Sequence, residues 1–253
     1  AGVRVGGESR SKSALAFAGE RKFKEYRTDS ILDVRQIKIA LKKLRVLKKS
    51  GRESLDINKT IKKTVENSGE IEIVSSRSRK NNLKLVLLMD IGGSMTPFSK
   101  RVSELFSAAH QVNHFKEFNH YYFHNIFYDD FHTTSELSHN NQISFNKLKS
   151  LHSGDTKFII IGDAYMAPYE LFHMTGAMND FYYSFNRDSK KSQITGLDRV
   201  QMLKKYFNDT VWLNPERKDL WSAPTIKAIK NEIPMYELTL DGIEKCIKSL
   251  LAS

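Results

Sequence analysis

Leu83-Lys84-Leu85-Val86-Leu87-Leu88-Met89-Asp90-Ile91-Gly92-Gly93-Ser94-Met95 decides how this chain is read. The run from Leu83 to Met89 is almost wholly apolar. A strand covered on both faces has that composition, whereas a half-exposed strand alternates. The run stops at a carboxylate, and two glycines, a serine and the start of a helix follow. In open α/β sheets ligands bind at the carboxyl ends of strands. The oxygens of Asp90 and Ser94 suit a hard cation such as Mg2+, which takes few protein ligands and keeps several waters.

Outward from this stretch the chain alternates strands with helices. Val102, Leu105, Phe106, Ala109 and Val112 form the buried stripe of a helix ending near His114, with Pro97 tolerated in its first turn. Tyr121–His124 predicts a strand, Asn125 a turn, and Ile126–Tyr128 a returning hairpin partner. Thr133 to Gln142 reads as a polar loop and Ile143 to Leu151 as a short helix. Phe158-Ile159-Ile160-Ile161 is a second buried run, expected as a central parallel strand, and it ends in Gly162-Asp163. Pro168 opens a helix to about Thr175, and Met178 to Lys191 shows no clear period. Gly196–Phe207 is expected as helix, Val211–Leu213 as strand, Thr225–Asn231 as helix and Met235–Leu238 as strand. Asp241 is expected to cap a last helix to Leu250. The pattern implies an α/β domain with a mostly parallel, Rossmann-like sheet flanked by helices.

Two predicted parallel strands thus end in aspartate, Asp90 and Asp163. Parallel strands deliver both carboxylates to one sheet edge. The Gly92-Gly93 turn folds the backbone over the strand end and brings Ser94 to the same place. A helix beginning near Thr96 points its amino-terminal dipole at the site, favouring an anionic ligand beside the cation.

The upstream region differs. Of the 40 Lys+Arg and 29 Asp+Glu residues, 21 basic and 10 acidic ones precede Asn82, and the remainder balances. The net charge of +11 is therefore confined to this part. Residues 1–18 read as a basic arm without hydrophobic period, and residues 19–82 as a basic helical segment with a short strand. Within it a helix is expected over Leu32–Lys49 (Val34, Ile37, Leu41, Leu44 and Leu47 on one face), a second over Asp56–Asn67, and a strand at Glu70–Val74. Ser75–Asn82 reads as a connector. Residues 83–253 form the predicted α/β domain.

Asp90-Ile91-Gly92-Gly93-Ser94-Met95 resembles the D-x-G/S-x-S motif of von Willebrand factor A (VWA) domains, and Gly162-Asp163 is similar to that family's fourth-loop aspartate. The stretches LDVRQIKIALKKLR, LLMDIGGSM, YYFHN and GDAYMAPYEL resemble more specifically the bacterial CoxE-type VWA proteins. The resemblance implies a VWA fold with a metal-ion-dependent adhesion site (MIDAS): Mg2+ or Mn2+ at Asp90, Ser94 and Asp163, supported by Gly92 and Gly93. A second-loop hydroxyl completes that set in the family. Ser144 is the first candidate here, and Thr133 and Thr134 are rivals. The resemblance also implies a protein partner supplying an acidic ligand, a MoxR-type AAA+ ATPase or a client metalloenzyme.

Other chemistry finds less footing. No phosphate-binding GxxxxGK[ST] loop and no G-x-S-x-G elbow occurs, so a non-enzymatic interaction module is expected ahead of a metal-dependent hydrolase. His110 and His114 lie four apart, but without an evident third zinc ligand they are read as ordinary helix histidines. The lone Cys246 excludes an internal disulfide and suits a reducing, cytoplasmic setting. The apolar runs are too short to span a bilayer. The basic upstream region carries the alternative reading, nucleic-acid binding through phosphate contacts.

Overall fold

The computed structural model describes residues 33–45, 47–174 and 194–252, with backbone alone at 47–52 and 78–80. The basic arm at residues 1–18, the start of the basic segment at residues 19–32 and the aperiodic stretch Met178–Lys191 lie outside the described residues.

A seven-stranded sheet forms the centre, in the order β6-β5-β4-β3-β7-β8-β9. Its middle strand is β3 (Lys84–Asp90), hydrogen-bonded in parallel to β4 (Glu117–Phe123) and β7 (Lys157–Ile161). β8 (Thr210–Asn214) and β9 (Met235–Glu237) continue the parallel array. β5 (Asp130–His132) and β6 (Gln142–Ser144) form an antiparallel edge. The sheet is thus mostly parallel and Rossmann-like, as expected.

Alternation along β3 shows why its sequence is continuously apolar. Leu85, Leu87 and Met89 enter one core with Ile159 and Ile161, while Val86 and Leu88 enter the other with Phe158 and Ile160. The first core is covered by α1 (Val34–Lys42), α3 (Ser99–His110) and α8 (Leu240–Ala252). The second is closed by α4 (Phe145–Leu151), α5 (Pro168–Phe172), α6 (Gly196–Tyr206) and α7 (Pro224–Glu232).

α1 is part of this body. Ile37, Ala40, Leu41 and Leu44 are buried in the first core. His114 Nε2 lies 3.0 Å from the Leu44 carbonyl, and Lys43 Nζ pairs with Glu244 at 2.7 Å. The helix is shorter than its periodicity suggested, because Leu47–Lys49 already belong to strand β1 (Leu47–Leu55).

β1 pairs antiparallel with β2 (Ser75–Asn81) in a separate two-stranded sheet, with α2 (Ile57–Glu66) between them, capped by Asp56. Two expectations fail here. Glu70–Val74 is not a strand despite its alternation, and Ile71 and Ile73 are exposed. The supposed connector is β2 instead. A two-stranded ribbon outside the main sheet has no face that must be apolar, so alternation does not mark it.

Smaller departures follow the same logic. Ile126 and Phe127 do not return as a strand; they are buried in the second core, and β5 supplies the antiparallel partner through Tyr122 and His132. At the start of α8 the Thr239 hydroxyl, not Asp241, accepts the Gly242 N–H. Among the described residues no helix is long and apolar enough to cross a membrane.

Candidate metal centre

From β3 the chain crosses through α3 to β4 on one side, and later arrives in β7 on the other. The carboxyl ends of β3 and its neighbours therefore flank a topological switch point, where an open parallel sheet leaves a crevice. Asp90 ends β3, and Asp163 follows β7 by two residues.

The turn after Asp90 is built by its glycines. Gly92 has φ +83° and ψ −179°, a region open to glycine almost alone. A Cβ there would also meet the His124 ring at 3.5 Å. Gly93 has φ +49° and opens a 3-10 turn, Gly93–Phe98, anchored by buried Met95. α3 starts only at Ser99, so the helix start expected near Thr96 is a tight turn, and its dipole lies one turn further along the chain. His124 Nδ1 holds the Ile91 carbonyl at 2.8 Å, and Asn125 N–H donates to Asp90 Oδ1 at 3.0 Å.

The loop after β7 is held from the neighbouring elements. Trp212 Nε1 donates to the Gly162 carbonyl at 2.7 Å, Asn214 Nδ2 to that of Asp163 at 2.7 Å, and the Thr225 hydroxyl to that of Ala164 at 2.9 Å. Three consecutive carbonyls are thus fixed, and Ala164 is kept at φ 55°, where a Cβ is unfavourable. Gly162 lets this loop lie against β3, since a Cβ there would come within 3.0 Å of Asp90 Cβ and 3.2 Å of Asp90 Oδ2.

The two aspartates are therefore brought together and buried, Asp90 at 3% and Asp163 at 2% exposure. Burial, and then the negative charge of Asp163, push the Asp90 carboxyl up to about 8. Asp163 Oδ1 accepts the Tyr165 N–H at 2.9 Å, while its Oδ2 is buried without a hydrogen-bond partner. A buried carboxyl whose proton affinity is raised by the charge of a second carboxylate, together with the unmatched oxygen of that second group, favours a positive charge beside them.

The hydroxyls divide. Ser94 lines an open cavity of about 460 Å³ with Gly93, His124, Asn125 and Glu170. Asp90 lines an adjacent cavity of about 360 Å³ with Thr96 and Ser135. Ser144 is not brought to the site. It sits at the end of β6, three strands from β3 or about 14 Å at ordinary strand spacing, and its Oγ caps α4 by accepting the Lys147 N–H at 3.2 Å. Thr133 and Thr134 bond within their own loop to Asn141. Of the Thr133-Thr134-Ser135 run it is Ser135 that lines the cavity with Asp90, beside the Thr96, Ser99 and Ser103 hydroxyls of the turn and α3, and the sequence does not single it out. His124, Asn125 and Glu170 were also missed, because nothing local ties them to Asp90.

The family model of VWA domain containing CoxE-like proteins matches residues 32–158, half of the chain. The chain belongs to this family. The match opens at α1 and closes inside β7, so the CoxE-like unit includes the basic helix as well as the D-x-G-x-S turn. No curated protein and no solved structure gives a match.

The residues of this CoxE-like VWA protein fit a hard divalent cation on chemical grounds. Such an ion is satisfied by one or two carboxylates plus hydroxyls and waters, and the unmatched Asp163 oxygen beside Asp90 is an acceptor of that kind. Among the described residues no group of three or more His, Cys, Asp or Glu side chains is placed to hold a metal ion of any kind, so a cation here would rest on the two carboxylates with hydroxyls and waters. His114 is committed to Leu44, and His110 stacks on Phe106 with ring centroids 5.9 Å apart. Cys246 is fully buried, which pushes its thiol far up and leaves it inert.

Proposed function

We propose that this CoxE-like protein is a non-enzymatic, cation-dependent interaction module. Asp90 and Asp163 hold Mg2+ or Mn2+ with hydroxyl support from Ser94 and Ser135, and an acidic side chain of a protein partner completes the site. The observation that carries the reading is the buried Asp90–Asp163 pair at the switch point with its unmatched oxygen. The cation supplies the positive charge that lets a carboxylate approach two others. The chain's own groups do the rest: Asn125 orients Asp90, and Tyr165 N–H with the Trp212, Asn214 and Thr225 donors sets Asp163. The family suggests a role in protein interaction and assembly. Within that role the partner of choice is a MoxR-type AAA+ ATPase, or a client metalloenzyme under maturation, with both partners in the cytoplasm.

The nucleic-acid alternative draws on the basic upstream region. Part of that charge is spent internally, because Lys43 pairs with Glu244. The deciding experiment is co-purification of the full chain with a MoxR-type ATPase. Retention in Mg2+ that is lost with EDTA and with Asp90→Ala supports the proposal; retention indifferent to both overturns it.

A further inference from the structure

A glutamate at the third position of a helix commonly reaches back to the cap N–H. Glu170 does so: its Oε2 accepts from Ala167 N–H at 2.9 Å and closes the start of α5. That leaves the second oxygen. Oε1 accepts from Asn125 Nδ2 at 2.9 Å, across 45 residues of sequence, on the turn that follows β4. Capping a five-residue helix does not require this bond.

Asn125 is no ordinary surface turn residue. Its φ is 55°, which asparagine tolerates better than most residues, and its N–H is the donor to Asp90 Oδ1 at 3.0 Å. The main chain of Glu170 is held as well. Its carbonyl accepts the Tyr128 hydroxyl, and it packs so closely on Gly196 that a Cβ there would lie 3.2 Å from the Glu170 oxygen. One side chain thus joins the turn carrying the donor to Asp90 with the loop that runs on from Asp163.

We propose that Glu170 is a positioning residue for the cation site: by gripping Asn125 and Ala167 together it fixes the Asp90 carboxylate and keeps the β7 exit loop against it. The proposal rests on the cation reading above. Outer groups that orient metal ligands cost roughly ten- to a hundred-fold in metal affinity when removed.

The test is Mn2+ binding by electron paramagnetic resonance, with hydrogen exchange of the Asn125 amide, on the full chain. The variants are Glu170→Ala, Asn125→Gly and their combination. Asn125→Gly keeps the N–H and the positive φ but removes the side-chain amide. Each single change is expected to weaken Mn2+ binding about tenfold or more, and the double to be no weaker than the worse single, since both cut one tie. Glu170→Ala is also expected to speed exchange at Asn125. Should Glu170→Ala fail to fold, Asn125→Gly decides alone. Singles that bind Mn2+ like the wild type, or losses that multiply, overturn the proposal. If the wild type takes up no Mn2+, the cation reading fails. Glu170 is then judged on exchange: faster exchange at Asn125 sustains the clamp, and unchanged protection overturns it.

Discussion

Asp90 and Asp163 leave hydrogen-bonded parallel strands at one edge of the sheet, both buried, and the charge of Asp163 is, after burial itself, the main reason Asp90 resists ionisation. Bringing two carboxyls together in this way costs free energy that a bound cation, as proposed, would offset.

This gives a pH dependence of fixed sign. The folded-state pKa of Asp90, about 8, lies above that of an unfolded carboxylate. The native state therefore keeps a proton that the unfolded chain has released. The stabilisation is full below pH ~4 and is lost as pH rises toward about 8. The slope is on the order of 1 kcal/mol per pH unit in that window. In EDTA, urea unfolding of the wild type is expected to show it, and Asp90→Asn to abolish it and be the more stable protein at pH 8. Equal slopes in the two proteins contradict the assignment.

The hydroxyls separate in mutagenesis. Ser144→Ala is expected to cost about 1 kcal/mol of stability through the lost cap of α4 and to leave Mn2+ affinity unchanged. Ser135→Ala is expected to do the opposite. Paired urea and Mn2+ titrations check both halves, and a Ser144→Ala variant that loses Mn2+ would move the second-loop ligand back to the sheet edge.

Much of this site is visible in the sequence. The Leu83–Met89 and Phe158–Ile161 runs announce central strands because both their faces are buried, and an aspartate after each marks the shared edge. What cannot be read locally depends on how distant turns meet. Glu170 looks like a helix-capping residue until Asn125 is seen beside it, and Ser135 looks like loop until the cavity under Asp90 is seen. The β1–β2 ribbon is hidden for another reason: without a face in the main core, its sequence shows no alternation.

Gly162 is the close contact between the two halves of the site. Gly162→Ala would set a methyl 3.0 Å from Asp90 Cβ and 3.3 Å from Trp212. The expected cost is about 1–3 kcal/mol from overpacking, with weakened Mn2+ binding beyond what Gly69→Ala, far from this contact, produces. Thermal unfolding and Mn2+ titration of the two variants make the comparison.

Away from the site, Lys157 Nζ pairs with Asp209 at 2.7 Å, and its side chain is 7% exposed. Removing the partner in Asp209→Ala leaves a buried cation, expected to cost about 3 kcal/mol or more. Asp209→Asn keeps an acceptor and is expected to cost less. Chemical unfolding of the two variants measures the difference.

The most direct measurement is a Mn2+ titration of the wild type, Asp90→Ala and Asp163→Ala, each shown to be folded. One Mn2+ per chain, displaced by Mg2+ and lost in both variants, is the expected result. A wild type that binds no Mn2+, or variants that bind it as the wild type does, would contradict the cation-dependent site.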